Sequence, residues 1–211
     1  MIPILLQIMT IFILDFETTG LNPYHDDIID IGCKVLDQDI TFQCLVKPES
    51  KRRVDDYITT LTGITNQMLS KQGKQYILAC QDFINFIIEQ SDGSTNYIIS
   101  HNGDGFDFII LKKILRDLRL HQKLPESFPP IQYIDTIPFA KRLLENQKRF
   151  SLSTLSKVFS IPQPEAHRAL PDVFNLEKLY RQLCLRLGSK YQVKDLLLNP
   201  DYIYNYIHLK D

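Results

Sequence analysis

Apolar positions along the chain recur at two spacings, and the change between them divides it into strands and helices. Residues 10–16, 28–36, 40–46, 96–100 and 131–134 are short β-branched or aromatic runs, the pattern of buried strands. Elsewhere the spacing lengthens to three and four. Ile77, Cys80, Phe83, Ile84, Ile87 and Ile88 make one face of a helix over residues 76–90. Phe108, Leu111, Ile114, Leu115 and Leu118 do the same over 106–120, as do Val173, Leu176, Leu179, Tyr180, Leu183 and Leu187 over 172–187. A shorter helix is expected over 151–159. Asp37-Gln38-Asp39 joins two of the runs as an antiparallel hairpin, and Pro125, Pro129 and Pro130 mark a loop. Strands interleaved with helices predict an α/β domain.

The ends and the composition refine this. Residues 1–14 are strongly apolar, but they lack a basic start and are too short to span a membrane. Asp15 and Glu17 fall where a signal-peptide cleavage region would lie, so residues 1–9 are read as an extension or a preceding strand. The domain is expected over 1–187, with 188–211 as a short C-terminal segment packed on it. The 211 residues, 44% hydrophobic and 23% charged, suffice for one continuous core and argue against wholesale disorder. A net charge of −1 argues against coating nucleic acid by bulk electrostatics. Lys51-Arg52-Arg53, Lys112-Lys113, Lys141-Arg142 and Lys148-Arg149 are read as solvated faces that could supply local contacts. Cys33, Cys44, Cys80 and Cys184 show no Cys-x-x-Cys spacing, which speaks against zinc and for reduced core thiols in an intracellular setting, cytoplasm or nucleus.

Chemistry is concentrated in three short motifs. Ile-Leu-Asp-Phe-Glu-Thr-Thr-Gly places Asp15 and Glu17 two apart at a strand end, on one side, with Phe16 in the opposite layer. Gly20 then permits a tight turn. Carboxylates so held repel each other unless cations lie between them. His-Asn-Gly-Asp-Gly-Phe-Asp follows the strand at 96–100 and sets Asp107 in the first turn of the next helix, with Asp104 as the expected capping side chain. His-Arg-Ala-Leu-Pro-Asp sets Asp172 at the opening of a helix behind Pro171, and His167 five residues earlier in a loop after Pro162 and Pro164. Carboxylates are the hard oxygen ligands that divalent cations prefer. A pair of such cations neutralises a phosphate and ionises water near neutral pH, and a loop histidine of pKa ~6.5 can move the proton. Together these five residues predict a two-metal phosphodiesterase.

In order and spacing the motifs resemble those of the DEDDh 3′→5′ exonucleases, the DnaQ-like group, over roughly residues 10–187. Leu61-Thr62-Gly63-Ile64-Thr65 resembles the family's Thr-Gly turn between its first and second motifs. Within the group the closest likeness is to three-prime repair (TREX-type) DNA exonucleases. It rests on the three residues between Asn102 and Phe106, on Ile134-Asp135-Thr136 and on Phe150-Ser151-Leu152. The resemblance implies a ribonuclease-H-like fold, a mixed five-stranded sheet flanked by helices. It implies that Asp15, Glu17, Asp107 and Asp172 coordinate two Mg²⁺ or Mn²⁺ ions and that His167 deprotonates the attacking water. Thr18, through its amide, matches the position that binds the terminal 3′ hydroxyl. Leu21 and Leu61 match apolar positions against the last bases, and Phe106 an aromatic position beside the scissile nucleotide, where the TREX-type enzymes usually have tyrosine. Gly105 stands where that subgroup has a basic residue.

The expected activity is hydrolysis of DNA from 3′ ends, single-stranded or frayed, releasing nucleoside 5′-monophosphates. The same chemistry on RNA is the near alternative, because the motifs do not locate contacts to a 2′-hydroxyl. An inactive nucleic-acid-binding module is the remote one, since all five positions are filled. No membrane partner is expected; a homodimer is suggested by the TREX likeness.

Overall fold

Alternation along the first strand decides the layering. The computed structural model describes residues 9–50, 53–92, 95–163, 167–193 and 196–198. Most of the extension expected over 1–9, together with Lys51, Arg52, Pro164 and much of the segment 188–211, lies outside the described residues. Strand β1 (Thr10–Thr18) is followed by β2 (Ile28–Val35), β3 (Thr41–Lys47), α1 (Asp56–Thr62), α2 (Asn66–Gln72), β4 (Lys74–Gln75) and α3 (Tyr76–Gln90). Then come β5 (Asn96–Ser100), α4 (Asp107–Leu120), β6 (Ile131–Asp135), α5 (Thr136–Leu143), α6 (Leu152–Val158) and α7 (Ala169–Tyr191). Ile11 and Ile13 of β1 pack with residues of α5, α6 and α7, while Phe12, Leu14 and Phe16 point the other way into α3 and α4. Successive side chains on a strand face opposite sides, so one sheet separates two apolar layers.

The sheet order is β4-β3-β2-β1-β5-β6. β2 runs antiparallel to both β1 and β3, whereas β4 lies parallel to β3, β5 parallel to β1 and β6 parallel to β5. The sheet is mixed, as expected, but among the described residues it has six strands rather than five. The sixth, β4, is a two-residue edge beside β3, too short to carry any hydrophobic pattern. α1 and α2 were not anticipated by periodicity. They close a small third cluster of Ile29, Val54, Ile58, Ile64 and Leu69. Asp55 and Thr65 cap their starts by accepting from Ile58 N–H and Met68 N–H. Gly63, at φ 69°, ends α1 in the left-handed conformation that favours glycine.

Two helix starts differ from expectation. α4 has no side-chain cap. Asp104 lies instead in a 3-10 turn, Gly103–Gly105, ahead of it. α7 begins at Ala169, three residues before Asp172, so Pro171 sits within the first turn, where its missing N–H has no helical partner to lose. A tertiary contact sets that start: Arg168 is extended and its Nε donates to Asp30 Oδ2 at 2.9 Å. α7 runs on past residue 187 to Tyr191, and Leu196 is buried in the same cluster.

Candidate active site

The candidate side chains gather where β1 and β5, which are parallel, reach their carboxyl ends. Ligands bind in the corresponding crevice of open α/β sheets generally. In register, Asp15 lies opposite Gly32 and Glu17 opposite Asp30, so all four positions share the face that α7 covers. Gly32 decides how close α7 comes. A Cβ there would fall 2.3 Å from the carbonyl carbon of Ala169 and 2.5 Å from the nitrogen of Leu170. The first turn of α7 therefore rests directly on the backbone of β2. Asp172, in that turn, is brought over the strand end, and carboxylate oxygens of Asp15, Glu17 and Asp172 all lie within 4.8 Å of one another.

Asp107 reaches the same place from the start of α4. β1 pairs with β5 only from Thr10 to Ile13, which leaves the Phe16 N–H outside that ladder. Asp107 Oδ1 accepts from it at 3.1 Å, and Oδ2 accepts from Ser100 Oγ at 2.7 Å. Asp107 is thus pinned to β1 beside Asp15 without joining the tight trio. Each of its oxygens keeps a further lone pair.

Burial and mutual repulsion act on these acids together. Burial, then the charges of Asp107, Glu17 and Asp172, holds Asp15 well above the usual carboxylate range. Burial, then Asp172 and Asp30, pushes Glu17 up to about 8. Burial raises Asp107 to about 7 despite the bonds from Ser100 and Phe16, and raises Asp172 despite His167 beside it. Hard oxygen donors crowded at this density, with too little positive charge among them, suit a divalent cation, whose charge would reverse these shifts.

His167 stands at the open side. Its Nδ1 is 3.3 Å from Asp172 Oδ2, and the ring is about half exposed, at 48%. Its backbone N–H donates to the carbonyl of Leu61 at 3.0 Å, which ties the loop to the end of α1. Thr18 is buried at the end of β1, with Oγ1 donating to the Gly20 carbonyl at 2.5 Å. Leu21 is exposed on the loop that follows, and Phe106 is half-buried immediately before Asp107.

Three supporting residues had no role assigned to them from sequence. Asp30, fully buried, holds Arg168 and hence the backbone next to His167; Gln43 Nε2 donates to the same oxygen at 3.3 Å. A lone acid inside the apolar run of β2 was its signal. Asp135 caps α5 by accepting from Ile137 N–H at 2.8 Å, and it also accepts from Asn102 N–H at 3.0 Å and Asp104 N–H at 3.2 Å. His101 is wedged with Nε2 2.6 Å from the Phe150 carbonyl and Nδ1 2.8 Å from Thr136 Oγ1, and burial lowers its pKa. The later landmarks around Asp135 and Phe150 therefore brace the second-motif loop.

Comparison with known proteins agrees with this arrangement. The family model RNase_T, described as an exonuclease, matches residues 12–180. The PolC-type DNA polymerase III of Thermotoga petrophila is 33% identical over 168 residues, 77% of this chain and 11% of the polymerase. Exonuclease DPD1, chloroplastic/mitochondrial, of Arabidopsis thaliana is 30% identical over 209 residues, 91% of this chain and 61% of that one. This chain thus spans about a tenth of the first relative and three fifths of the second. E. coli Exonuclease I, solved in complex with a dT13 oligonucleotide, superposes with a TM-score of 0.69 at 17% identity, over 88% of this chain and 43% of the other.

Proposed function

The chain belongs to the RNase_T exonuclease family, and we propose that it removes nucleotides one at a time from the 3′ end of DNA. The observation that carries this reading is the trio of Asp15, Glu17 and Asp172, with oxygens within 4.8 Å and His167 at its edge. Asp15, Glu17, Asp107 and Asp172 would hold two Mg²⁺ or Mn²⁺ ions. Bound there, the cations supply charge to the phosphate and a more acidic water.

The chain's own residues do the rest. Nδ1 of His167 faces Asp172, which leaves Nε2 to take the proton from the attacking water. Water oxygen bonds to phosphorus, and the 3′ oxygen of the preceding nucleotide leaves. The products are a nucleoside 5′-monophosphate and a strand one nucleotide shorter with a 3′ hydroxyl. Thr18 N–H meets the terminal 3′ hydroxyl, Leu21 and Leu61 flank the last bases, and Phe106 lies against the scissile nucleotide. The backbone bond between His167 and Leu61 supports this grouping, because it couples the proposed base to a proposed base-packing position.

DNA as substrate is supported by the oligonucleotide bound to E. coli Exonuclease I. A homodimer and an intracellular setting, in the cytoplasm or nucleus, complete the proposal. Among the described residues no helix is long and apolar enough to cross a membrane, and all four cysteines are free thiols. The test is digestion of 3′- and 5′-labelled single-stranded DNA and RNA with Mg²⁺, beside an Asp15→Ala control. Stepwise loss from the DNA 3′ end, absent in the control, is expected. Preferred digestion of RNA would reassign the substrate, and no metal-dependent cleavage of either would overturn the reading.

A further inference from the structure

The carboxylate cluster explains hydrolysis at a strand's last phosphate but not how the rest of the strand is held. Residues 108–123 carry five basic side chains, Lys112, Lys113, Arg116, Arg119 and Lys123, against one acid, Asp117, in a chain whose net charge is −1. Helical spacing of three and four sets Ile109, Lys112, Lys113 and Arg116 on one face of α4. Facing them, on the β1–β2 loop, are Pro23 and Tyr24, and the two elements enclose a groove of about 420 Å³. Tyr24 is 67% exposed, which leaves its ring open at the rim of the groove.

Of the three cations in this groove, Arg116 is paired with Asp117, while the two lysines keep their charge uncompensated among the described residues. Asp117 accepts from Tyr76 Oη at 2.9 Å and pairs with Arg116 at 3.0 Å, so the single acid is already engaged. Lys112 Nζ lies 5.1 Å from the centre of the Tyr133 ring and Lys113 Nζ 5.5 Å from that of Tyr76. Aromatic faces orient these ammonium groups without neutralising them. Among the described residues neither lysine has a carboxylate within ion-pair distance.

The groove also starts at the right place. α4 opens on Asp107, and Arg116 lies nine residues further on, about 13 Å along the axis at ~1.5 Å per residue. We propose that this groove binds the single strand on the 5′ side of the scissile phosphate, with Lys112 and Arg116 on phosphates and Tyr24 stacked on a base. Positive charge along a groove with an interleaved aromatic ring is how single strands are held without regard to sequence, because phosphates and base faces are common to all nucleotides. The assignment rests on the exonuclease reading for its direction but not for the binding itself.

The test uses the full chain and a twenty-nucleotide oligodeoxythymidylate carrying a fluorophore. Binding is followed by anisotropy in Ca²⁺, and hydrolysis of the same oligonucleotide and of a dinucleotide is followed in Mg²⁺. In the Lys112→Ala/Arg116→Ala double variant, Kd for the long strand rises at least about tenfold. The slope of log affinity against log salt becomes shallower by about 1.4, the amount for two single-strand phosphate contacts. Tyr24→Ala weakens binding by roughly 5- to 150-fold, the loss of about 1–3 kcal/mol of stacking, and leaves the salt slope alone. The preference for the long strand over the dinucleotide, in kcat/KM, falls with both. Unchanged affinity and salt slope in the double variant would overturn the groove. A wild type that binds the strand tightly through the groove yet cleaves nothing would sink the exonuclease reading and leave the groove standing.

Discussion

Two clusters of buried charge lie along the seam between β2 and α7, and they are built on opposite terms. At one end, Lys34, 3% exposed, meets Glu177 at 3.1 Å and also donates to the carbonyls of Val35 and Gln38. Glu177 in turn accepts from Asp37 N–H and from Arg181. Charges balance and most polar atoms are satisfied, as a buried pair requires. At the other end, Asp15, Glu17, Asp172 and Asp30 crowd together with Arg168 as the arginine that pairs with them, and among the described residues Asp30 Oδ1 is left without a hydrogen-bond partner. The difference separates roles. The balanced pair fastens the helix to the sheet, and the unbalanced acids are tolerated because the fastening holds them in place for a cation.

That contrast can be broken at either end. The largest effect is expected from Lys34→Met, which strands Glu177 in the interior and should cost about 3–5 kcal/mol in urea unfolding. Lys34→Met with Glu177→Leu should recover most of it. Asp172→Asn should do the reverse: activity falls by more than about 100-fold, while metal-free stability holds or rises because a repulsive charge is gone. If it destabilised the chelated protein as much as Lys34→Met, the two ends would not differ as described.

Arg168→Ala probes the arginine paired at the acidic end. A single-turnover rate lowered by about tenfold or more is expected, as for residues that orient a catalytic group, with affinity for the DNA end changed less. Arg168→Lys should recover part of the rate. The last probe is a pH trend. Glu17 titrates near 4.5 when unfolded and near 8 when folded, so between these values the folded state binds more protons. Stability in chelator should therefore fall as pH rises from about 4.5 to about 8, and Mg²⁺ should flatten that decline. A melting temperature that rises across this window in chelator would contradict the burial of these acids.

Sequence pattern alone located both strands that frame the site. β5 has the expected bounds, and β1 carries Asp15 and Glu17 on the expected side, because period-two alternation is a local property. α1 and α2, seven residues each, were missed since two turns hold too few apolar positions to establish a period, although the caps Asp55 and Thr65 were there to be read. The start of α7 was misplaced because Arg168 is fixed by Asp30, 138 residues earlier in the chain. Asp104 does not cap α4, and its N–H is taken by Asp135, 31 residues later. The clustering of the trio depends on Gly32, whose part is visible only once α7 lies on β2. Asp30 and Lys34, charged residues within an apolar strand, were the overlooked clue to that seam.

The proposed chemistry depends on cation binding by the trio, and a calorimetric titration with Mn²⁺ reads it without substrate. Saturable binding of two ions by the wild type, abolished or sharply weakened in Asp15→Ala and Asp172→Asn, is the predicted result. A wild type that binds no Mn²⁺, or an Asp15→Ala protein that binds it like the wild type, would contradict it.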